Sequence, residues 1–333
     1  ISGVTIKLYE GDPPAELIGT AVTGEDGAYS FPGLVPGAYT VMEEGLEGYF
    51  ACTPVSVAVE LSPGEGAVVD FGNCPYGRIE GLKFLDSDGD GAQDPGEPGL
   101  EGVEITLTGL GETSALAIAT SGEDGAFLFK NLLPGEYKVA ESVPAGYYAT
   151  RPVEINPVVV GPGESISVIF ANAPYGSIEG NKWLDDGDGQ IDETKDKPGA
   201  GVTIKLDGKT LGGDTVSMQT STGADGSYAF LLLEAGDYAV TEEFDPKKMT
   251  SISDESVSVK LVPGEEKTGV DFLNAETEVG GEVVTPERPD IGGATGTLPR
   301  TGLDQYPLLI SAAALMLLGL AFLLSGLRGR HQE

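Results

Sequence analysis

From Gly3 to Asn274 the chain alternates apolar and polar residues in short runs. Val103, Ile105 and Leu107 share one parity, with polar residues between them. Tyr137, Val139 and Glu141 share another, separated by Lys138 and Ala140. A period of two is the mark of a strand with one buried face. Asp-Gly and Pro-Gly pairs punctuate the runs, as turns do. No long 3.6-period segment precedes Leu308. Short strands with a turn every 8–12 residues or so predict an all-β chain of sandwich type.

The pattern recurs three times. Gly24-Glu25-Asp26-Gly27-Ala28-Tyr29-Ser30-Phe31 returns as Gly122-Glu123-Asp124-Gly125-Ala126-Phe127-Leu128-Phe129 and as Gly223-Ala224-Asp225-Gly226-Ser227-Tyr228-Ala229-Phe230. Pro36-Gly37-Ala38-Tyr39 is matched by Pro134-Gly135-Glu136-Tyr137 and Ala235-Gly236-Asp237-Tyr238. The spacing defines units 1–76, 77–175 and 176–275, each long enough for one small core. Gly3-Val4-Thr5-Ile6-Lys7-Leu8 matches Gly102–Leu107 and Gly201–Leu206, so the first unit is expected to lack its opening strand and the loop after it. Residues 276–297 have no apolar period and carry Pro286 and Pro289; they read as a solvated acidic linker.

Strand parity also places polar side chains on the core face. In the second unit Ile79, Gly81 and Lys83 share a face, as do Tyr137, Val139 and Glu141, and Val168, Phe170 and Asn172. The third unit repeats this with Lys182, Glu242 and Asn274, and Asp271 fixes the parity by taking the outward position. A lone buried lysine or carboxylate costs several kcal/mol, so each needs a partner. Apolar surroundings favour the neutral amine, which is a nucleophile. The first unit keeps Glu43 and Asn73 but has no matching lysine. The bland alternative places each residue at a strand end, with lysine reaching for water.

Between the first two strands of the second unit lies Asp86-Ser87-Asp88-Gly89-Asp90-Gly91-Ala92-Gln93-Asp94-Pro95-Gly96-Glu97. Asp86, Asp88, Asp90, Asp94 and Glu97 follow the spacing of an EF-hand calcium loop, with the Ala92 carbonyl at the seventh position. Pro95 and Pro98 forbid the usual exiting helix. A weaker copy occupies the third unit, with Asp185, Asp186, Asp188 and Asp192. It has lost one residue, Lys195 stands where the closing glutamate belongs, and Asp196 or Glu193 is left to replace it. Ca²⁺ is the expected cofactor, held weakly as in extracellular modules.

The C-terminus reads Leu298-Pro299-Arg300-Thr301-Gly302, then an uncharged apolar run over 308–327, then a basic tail over 328–333. About 20 helical residues rise roughly 30 Å, one hydrocarbon core, and basic residues favour the cytoplasmic side. The order resembles the cell-wall sorting signal of Gram-positive surface proteins, the LPxTG type. The resemblance implies that a sortase cuts between Thr301 and Gly302 and joins Thr301 to an amine of cell-wall peptidoglycan. An uncleaved membrane anchor is the plainer alternative.

Composition narrows the field. Net charge is −34, from 53 acidic against 19 basic residues, which argues against a nucleic-acid partner. The one histidine is His331, in the tail, so no Ser–His or Cys–His pair is available outside and turnover catalysis is not expected. Cys52 and Cys74 both lie in the first unit; an exported chain permits a disulfide, and two isolated thiols fit the sequence as well.

The repeats resemble Cna B-type and SdrD B-type domains of bacterial surface proteins, which are prealbumin-like (Ig-like) sandwiches. That resemblance implies spontaneous isopeptide bonds between Lys83 and Asn172 and between Lys182 and Asn274. Glu141 and Glu242 would assist by hydrogen-bonding the carboxamide oxygen and moving the proton. The expected whole is the wall-proximal stalk of a sortase-anchored adhesin, meeting a host or matrix ligand through upstream sequence. Two other readings stay open. A pilin-like subunit would need an accessible lysine near a Tyr-Pro-Lys, which these residues lack. A tether for a wall-bound enzyme would need an upstream catalytic domain.

Overall fold

The computed structural model describes residues 1–11 and 16–277. The pentapeptide at 298–302, the apolar run, the basic tail and nearly all of the linker lie outside the described residues. Among the described residues every regular element is a strand.

The first unit carries β1 (Thr5–Glu10), β2 (Glu16–Val22), β3 (Gly37–Glu43), β4 (Tyr49–Ala51), β5 (Ser56–Leu61) and β6 (Asn73–Pro75). The second carries β7 (Gly77–Leu85), β8 (Glu104–Gly109), β9 (Ala115–Thr120), β10 (Ala126–Leu132), β11 (Gly135–Glu141), β12 (Tyr147–Ala149), β13 (Glu154–Val160) and β14 (Ser165–Pro174). The third carries β15 (Gly176–Leu184), β16 (Lys197–Pro198), β17 (Thr203–Thr210), β18 (Thr215–Ser221), β19 (Ser227–Leu233), β20 (Gly236–Glu243), β21 (Met249–Ser251), β22 (Ser256–Leu261), β23 (Glu266–Lys267) and β24 (Phe272–Glu276).

Two four-stranded sheets make the second unit, in orders β10-β7-β14-β12 and β13-β11-β8-β9. Their inner faces bury Ile79, Ile105, Leu107, Val139 and Phe170, which is the layering that alternation on both sheets requires. The third unit repeats it, with β18-β17-β20-β22 facing β16-β15-β24-β21, and with β19 and β23 also on β15. In the first unit β2-β1-β3-β5 forms one sheet, and the other consists of β4 and β6 alone. There the segments 28–34 and 66–71, which match β10 and the first half of β14, form no strand.

The first and last strands of each complete unit run side by side and parallel. Lys83 pairs with Phe170 and Leu85 with Asn172. Lys182 pairs with Phe272 and Leu184 with Asn274. Lysine and asparagine therefore sit on one face, two residues out of register, which is a diagonal neighbour position on a sheet. Single residues, Tyr76 and Tyr175, join successive units. Each junction is tied the same way: the Gly163 N–H donates to the Pro75 carbonyl at 2.9 Å and the Gly264 N–H to the Pro174 carbonyl at 3.0 Å.

Candidate functional site

The core-facing polar residues meet. Lys83, Asn172, Lys182 and Asn274 are each 0% exposed. Lys83 Nζ lies 2.8 Å from Glu141 Oε2, and both side chains are fully covered. Asn172 Nδ2 donates to Glu141 Oε1 at 3.1 Å and to the Ala171 carbonyl at 2.8 Å. One carboxylate thus bridges the amine and the carboxamide. In the third unit Lys182 Nζ is 3.1 Å from Glu242 Oε2, and Asn274 Nδ2 donates to the same oxygen at 3.3 Å. Ser251 Oγ donates to Glu242 Oε1. Burial pushes both lysine amines below their ordinary range, although the hydrogen bond and charge of Glu141 or Glu242 pull the other way.

One detail differs from the sequence expectation. Glu141 and Glu242 face the carboxamide nitrogen, and Asn172 Oδ1 and Asn274 Oδ1 have no hydrogen-bond partner among the described residues. A carboxylate paired with an ammonium can only accept, so it turns the N–H of the amide toward itself. In the second unit the Ala171 carbonyl takes the other N–H and fixes that orientation.

In the first unit Asn73 Nδ2 donates to Glu43 Oε1 at 2.6 Å. Glu43 is buried, and among the described residues no cation reaches it. The carboxylate–carboxamide half of the triad is therefore present without its amine.

The acidic loop after β7 folds around Asp86, which is 0% exposed. Its two oxygens accept from the Gly89 N–H at 2.7 Å and the Gly91 N–H at 2.8 Å. Glu97 closes the loop by accepting from the Ser87 N–H at 2.7 Å and the Asp94 N–H at 3.0 Å. Oxygens of Asp86, Asp88 and Glu97 converge within 4.8 Å, as do those of Asp88, Asp90 and Asp94. The Asp90 N–H stabilises the Asp88 carboxylate, yet desolvation and the charges of Asp90 and Asp86 outweigh it and raise the Asp88 pKa. Ala92 supplies an N–H to Asp90 Oδ1 at 2.6 Å. Carboxylate oxygens of this kind are the ligand type that hard divalent cations take, and each of the two groups brings three of them together.

In the third unit Asp185, Asp186 and Asp188 converge. Asp196 takes the part of Glu97: it accepts from the Asp186 N–H at 3.0 Å and from the Asp192 N–H at 2.8 Å. The deletion in this loop shifts the closing acid by one position, and the spacing alone left Asp196 and Glu193 equivalent. Lys195 Nζ lies 2.8 Å from Asp192 and 3.7 Å from Asp188, so an ammonium already neutralises part of this cluster. Its hydrogen bond holds the Asp192 carboxyl well below the usual range.

Cys52 and Cys74 face each other beside the β4–β6 pair and are joined, their Cα atoms 5.8 Å apart. That separation suits a disulfide.

Comparison with known proteins agrees with the fold. Residues 78–155 match the SdrD B-like domain, and residues 1–73 match a prealbumin-like fold domain. Serine-aspartate repeat-containing protein F of Staphylococcus epidermidis is 28% identical over 273 residues, covering 74% of this chain and 16% of its own length. Serine-aspartate repeat-containing protein D of Staphylococcus aureus is 28% identical over 302 residues, covering 81% and 22%. The chain spans about a fifth of the length of these relatives. Among solved structures, the Bacillus anthracis TIE protein is 21% identical, with a TM-score of 0.36, 83% of this chain and 48% of that chain covered. The Streptococcal ancillary pilin is 15% identical, with a TM-score of 0.34, and coverage is 82% and 92%. The described residues are all-β, with a prealbumin-like match in the first unit and an SdrD B-like match in the second.

Proposed function

We propose that the chain is a wall-proximal stalk of a Gram-positive surface protein, stiffened by internal isopeptide bonds and by calcium and joined to peptidoglycan by a sortase through Thr301. The observation that carries this reading is the buried Lys83–Glu141–Asn172 cluster and its repetition as Lys182–Glu242–Asn274. The similarity to serine-aspartate repeat proteins supports a surface location.

The chemistry follows from the contacts. Lys83 hands a proton to Glu141 Oε2 and becomes a neutral amine, which its burial favours. The amine attacks Cγ of Asn172, forming a C–N bond. The carboxyl gives its proton to Nδ2, which lies at its other oxygen, as the Cγ–Nδ2 bond breaks, and the carboxylate so freed takes the second proton from the newly bonded Lys83 nitrogen, leaving an amide N–H and a protonated Glu141. Ammonia leaves and no other reagent is consumed. The reaction occurs once, on the chain itself, so the module does not turn over. Lys182, Glu242 and Asn274 would act alike.

The bond would tie the first strand of a unit to its last. A cross-link closing a loop on the order of 100 residues stabilises by roughly 4–5 kcal/mol in the chain-entropy account. It would also keep a pulling force from extending the domain. Calcium would be held by Asp86, Asp88, Asp90, Asp94 and Glu97, with Asp185, Asp186, Asp188, Asp192 and Asp196 as a weaker set. The ion would supply charge compensation that lets crowded carboxylates stay ionised and keep the loop closed. Cys52–Cys74 would lock the short β4–β6 sheet of the first unit.

Tryptic mapping by tandem mass spectrometry tests the reading. It should yield a branched peptide joining the Lys83 segment to the Asn172 segment, short of one ammonia. Recovery of both segments only as separate linear peptides would end the isopeptide account.

A further inference from the structure

The two complete units hold the same three residues through different oxygens. In the second unit the Lys83 amine faces Glu141 Oε2 at 2.8 Å, and the Asn172 carboxamide faces Oε1 at 3.1 Å. In the third, Lys182 and Asn274 both face Glu242 Oε2, at 3.1 Å and 3.3 Å. Oε1 there accepts from the Ser251 hydroxyl at 3.3 Å. Strand pairing puts the serine in that place. Ser251 on β21 stands directly opposite Asn274 on β24, so the two side chains share a face. The matching positions are Ala149, opposite Asn172, and Ala51, opposite Asn73. An alanine side chain has no donor to offer.

The backbone around the serine is fastened to the strand that carries Asn274. The Ser253 N–H donates to the Leu273 carbonyl at 3.2 Å, and the Leu273 N–H donates to the Ser253 hydroxyl at 2.9 Å. Ser251 has one hydroxyl hydrogen, and the Ser253 carbonyl stands 2.9 Å away as a second acceptor. The charge on Glu242 decides that competition in favour of the carboxylate, because hydrogen bonds to ionised acceptors are roughly twice as strong as neutral ones.

We propose that Ser251 is a positioning residue for cross-linking in the third unit: by occupying Oε1 of Glu242 it confines the proton relay to Oε2. That oxygen takes a proton from Lys182, whose amine then bonds to Cγ of Asn274. It gives the proton to Nδ2 as the Cγ–Nδ2 bond breaks, and ammonia leaves. It then takes the second proton from the newly bonded nitrogen, which becomes an amide N–H, and Glu242 ends protonated. In the second unit the proton arrives at Oε2 of Glu141 and departs from Oε1, so the carboxyl must turn inside a closed core between the two transfers. The third unit is spared that turn. This inference rests on the Lys–Asn chemistry proposed above and adds the residue that sets its rate in one unit.

The test follows the full chain made by cell-free synthesis, quenched at intervals in acid and urea and mapped by tryptic mass spectrometry. Both branched peptides are read in one sample, so each unit is the other's clock. Ser251→Ala should slow the third unit roughly tenfold, the worth of one hydrogen bond to a carboxylate, and leave the second unit unchanged. Alanine already stands opposite Asn172, so the substitution suits the strand pairing. Ser251→Thr keeps the hydroxyl and should keep the rate. Ala149→Ser should speed the second unit, a gain that a merely structural serine does not produce. Three results overturn the proposal and leave the Lys–Asn reading standing: a third unit that keeps its rate in Ser251→Ala, a Ser251→Thr chain as slow as Ser251→Ala, or a second unit indifferent to Ala149→Ser. If neither branched peptide forms in the unsubstituted chain, the Lys–Asn reading falls and takes this one with it.

Discussion

Replacing Glu141 by glutamine changes almost no volume but removes the carboxylate proposed to act as base between Lys83 and Asn172. In the structure that carboxylate touches both the amine and the carboxamide, at 2.8 Å and 3.1 Å. Glutamine can accept no proton from the amine, so the second unit should keep its ammonia. Two costs then add. The cross-link is worth roughly 4–5 kcal/mol for a loop of this order. A buried amine deprived of its charge partner costs about 3–5 kcal/mol. Together they approach the whole stability of a small domain, about 5–15 kcal/mol. Each kcal/mol moves the melting midpoint of a domain this size by about 4–8 °C, so the second unit should melt tens of degrees lower. Calorimetry of the chain, with mass spectrometry on the same sample, reads both effects. The double variant Lys83→Met/Glu141→Leu separates them: it also lacks the cross-link but buries no orphaned charge, so its unit should melt between the other two. A Glu141→Gln chain that still loses the full complement of ammonia would refute the role given to the carboxylate.

Other outcomes follow from the same geometry. Calcium should raise the melting midpoint of the second unit with an apparent Kd of roughly 10⁻⁴–10⁻³ M, and Glu97→Gln should abolish that shift in a calcium titration. Lys195→Ala should strengthen calcium binding in the third unit, since the ammonium now sits on Asp192, while costing little stability at an exposed pair. The pH dependence has a definite sign. In an Asn172→Ala chain, which cannot cross-link, Lys83 has a folded pKa below its unfolded value, so the unfolded state binds more protons between the two. Its stability should therefore rise with pH across that window and level off above the unfolded lysine pKa, as urea melts at several pH values would show. Gly180→Ala should destabilise the third unit by several kcal/mol in the same assay, because the new Cβ meets the Val270 carbonyl and no flexible side chain can yield.

Much of the triad could be read from alternation alone. Strand parity is strict, so once Val139 and Phe170 face the core, Glu141 and Asn172 must as well. Asp271 gave a further check, and it turns outward to accept from the Asn181 N–H at 2.7 Å. Parity says nothing about torsions past Cβ, which is why the side of the carboxamide that faces Glu141 was not legible. The closing acid of the third-unit loop was ambiguous for a similar reason. A one-residue deletion destroys the spacing by which Glu97 is recognised, and only the backbone path shows Asp196 accepting the same two N–H groups. The Tyr148 hydroxyl that accepts from the Ala235 N–H at 3.1 Å, between the second and third units, carried no local signal at all. It depends on how one unit is joined to the next, and the matching residues in the first two units, Phe50 and Pro134, lack the hydroxyl and the N–H respectively.

The intact mass of the chain, purified under reducing conditions, tests the central claim most directly. The account predicts a mass short of the sequence value by two ammonia molecules, one for Lys83–Asn172 and one for Lys182–Asn274. A mass equal to the sequence value would contradict it, leaving the two buried clusters as ion pairs and nothing more.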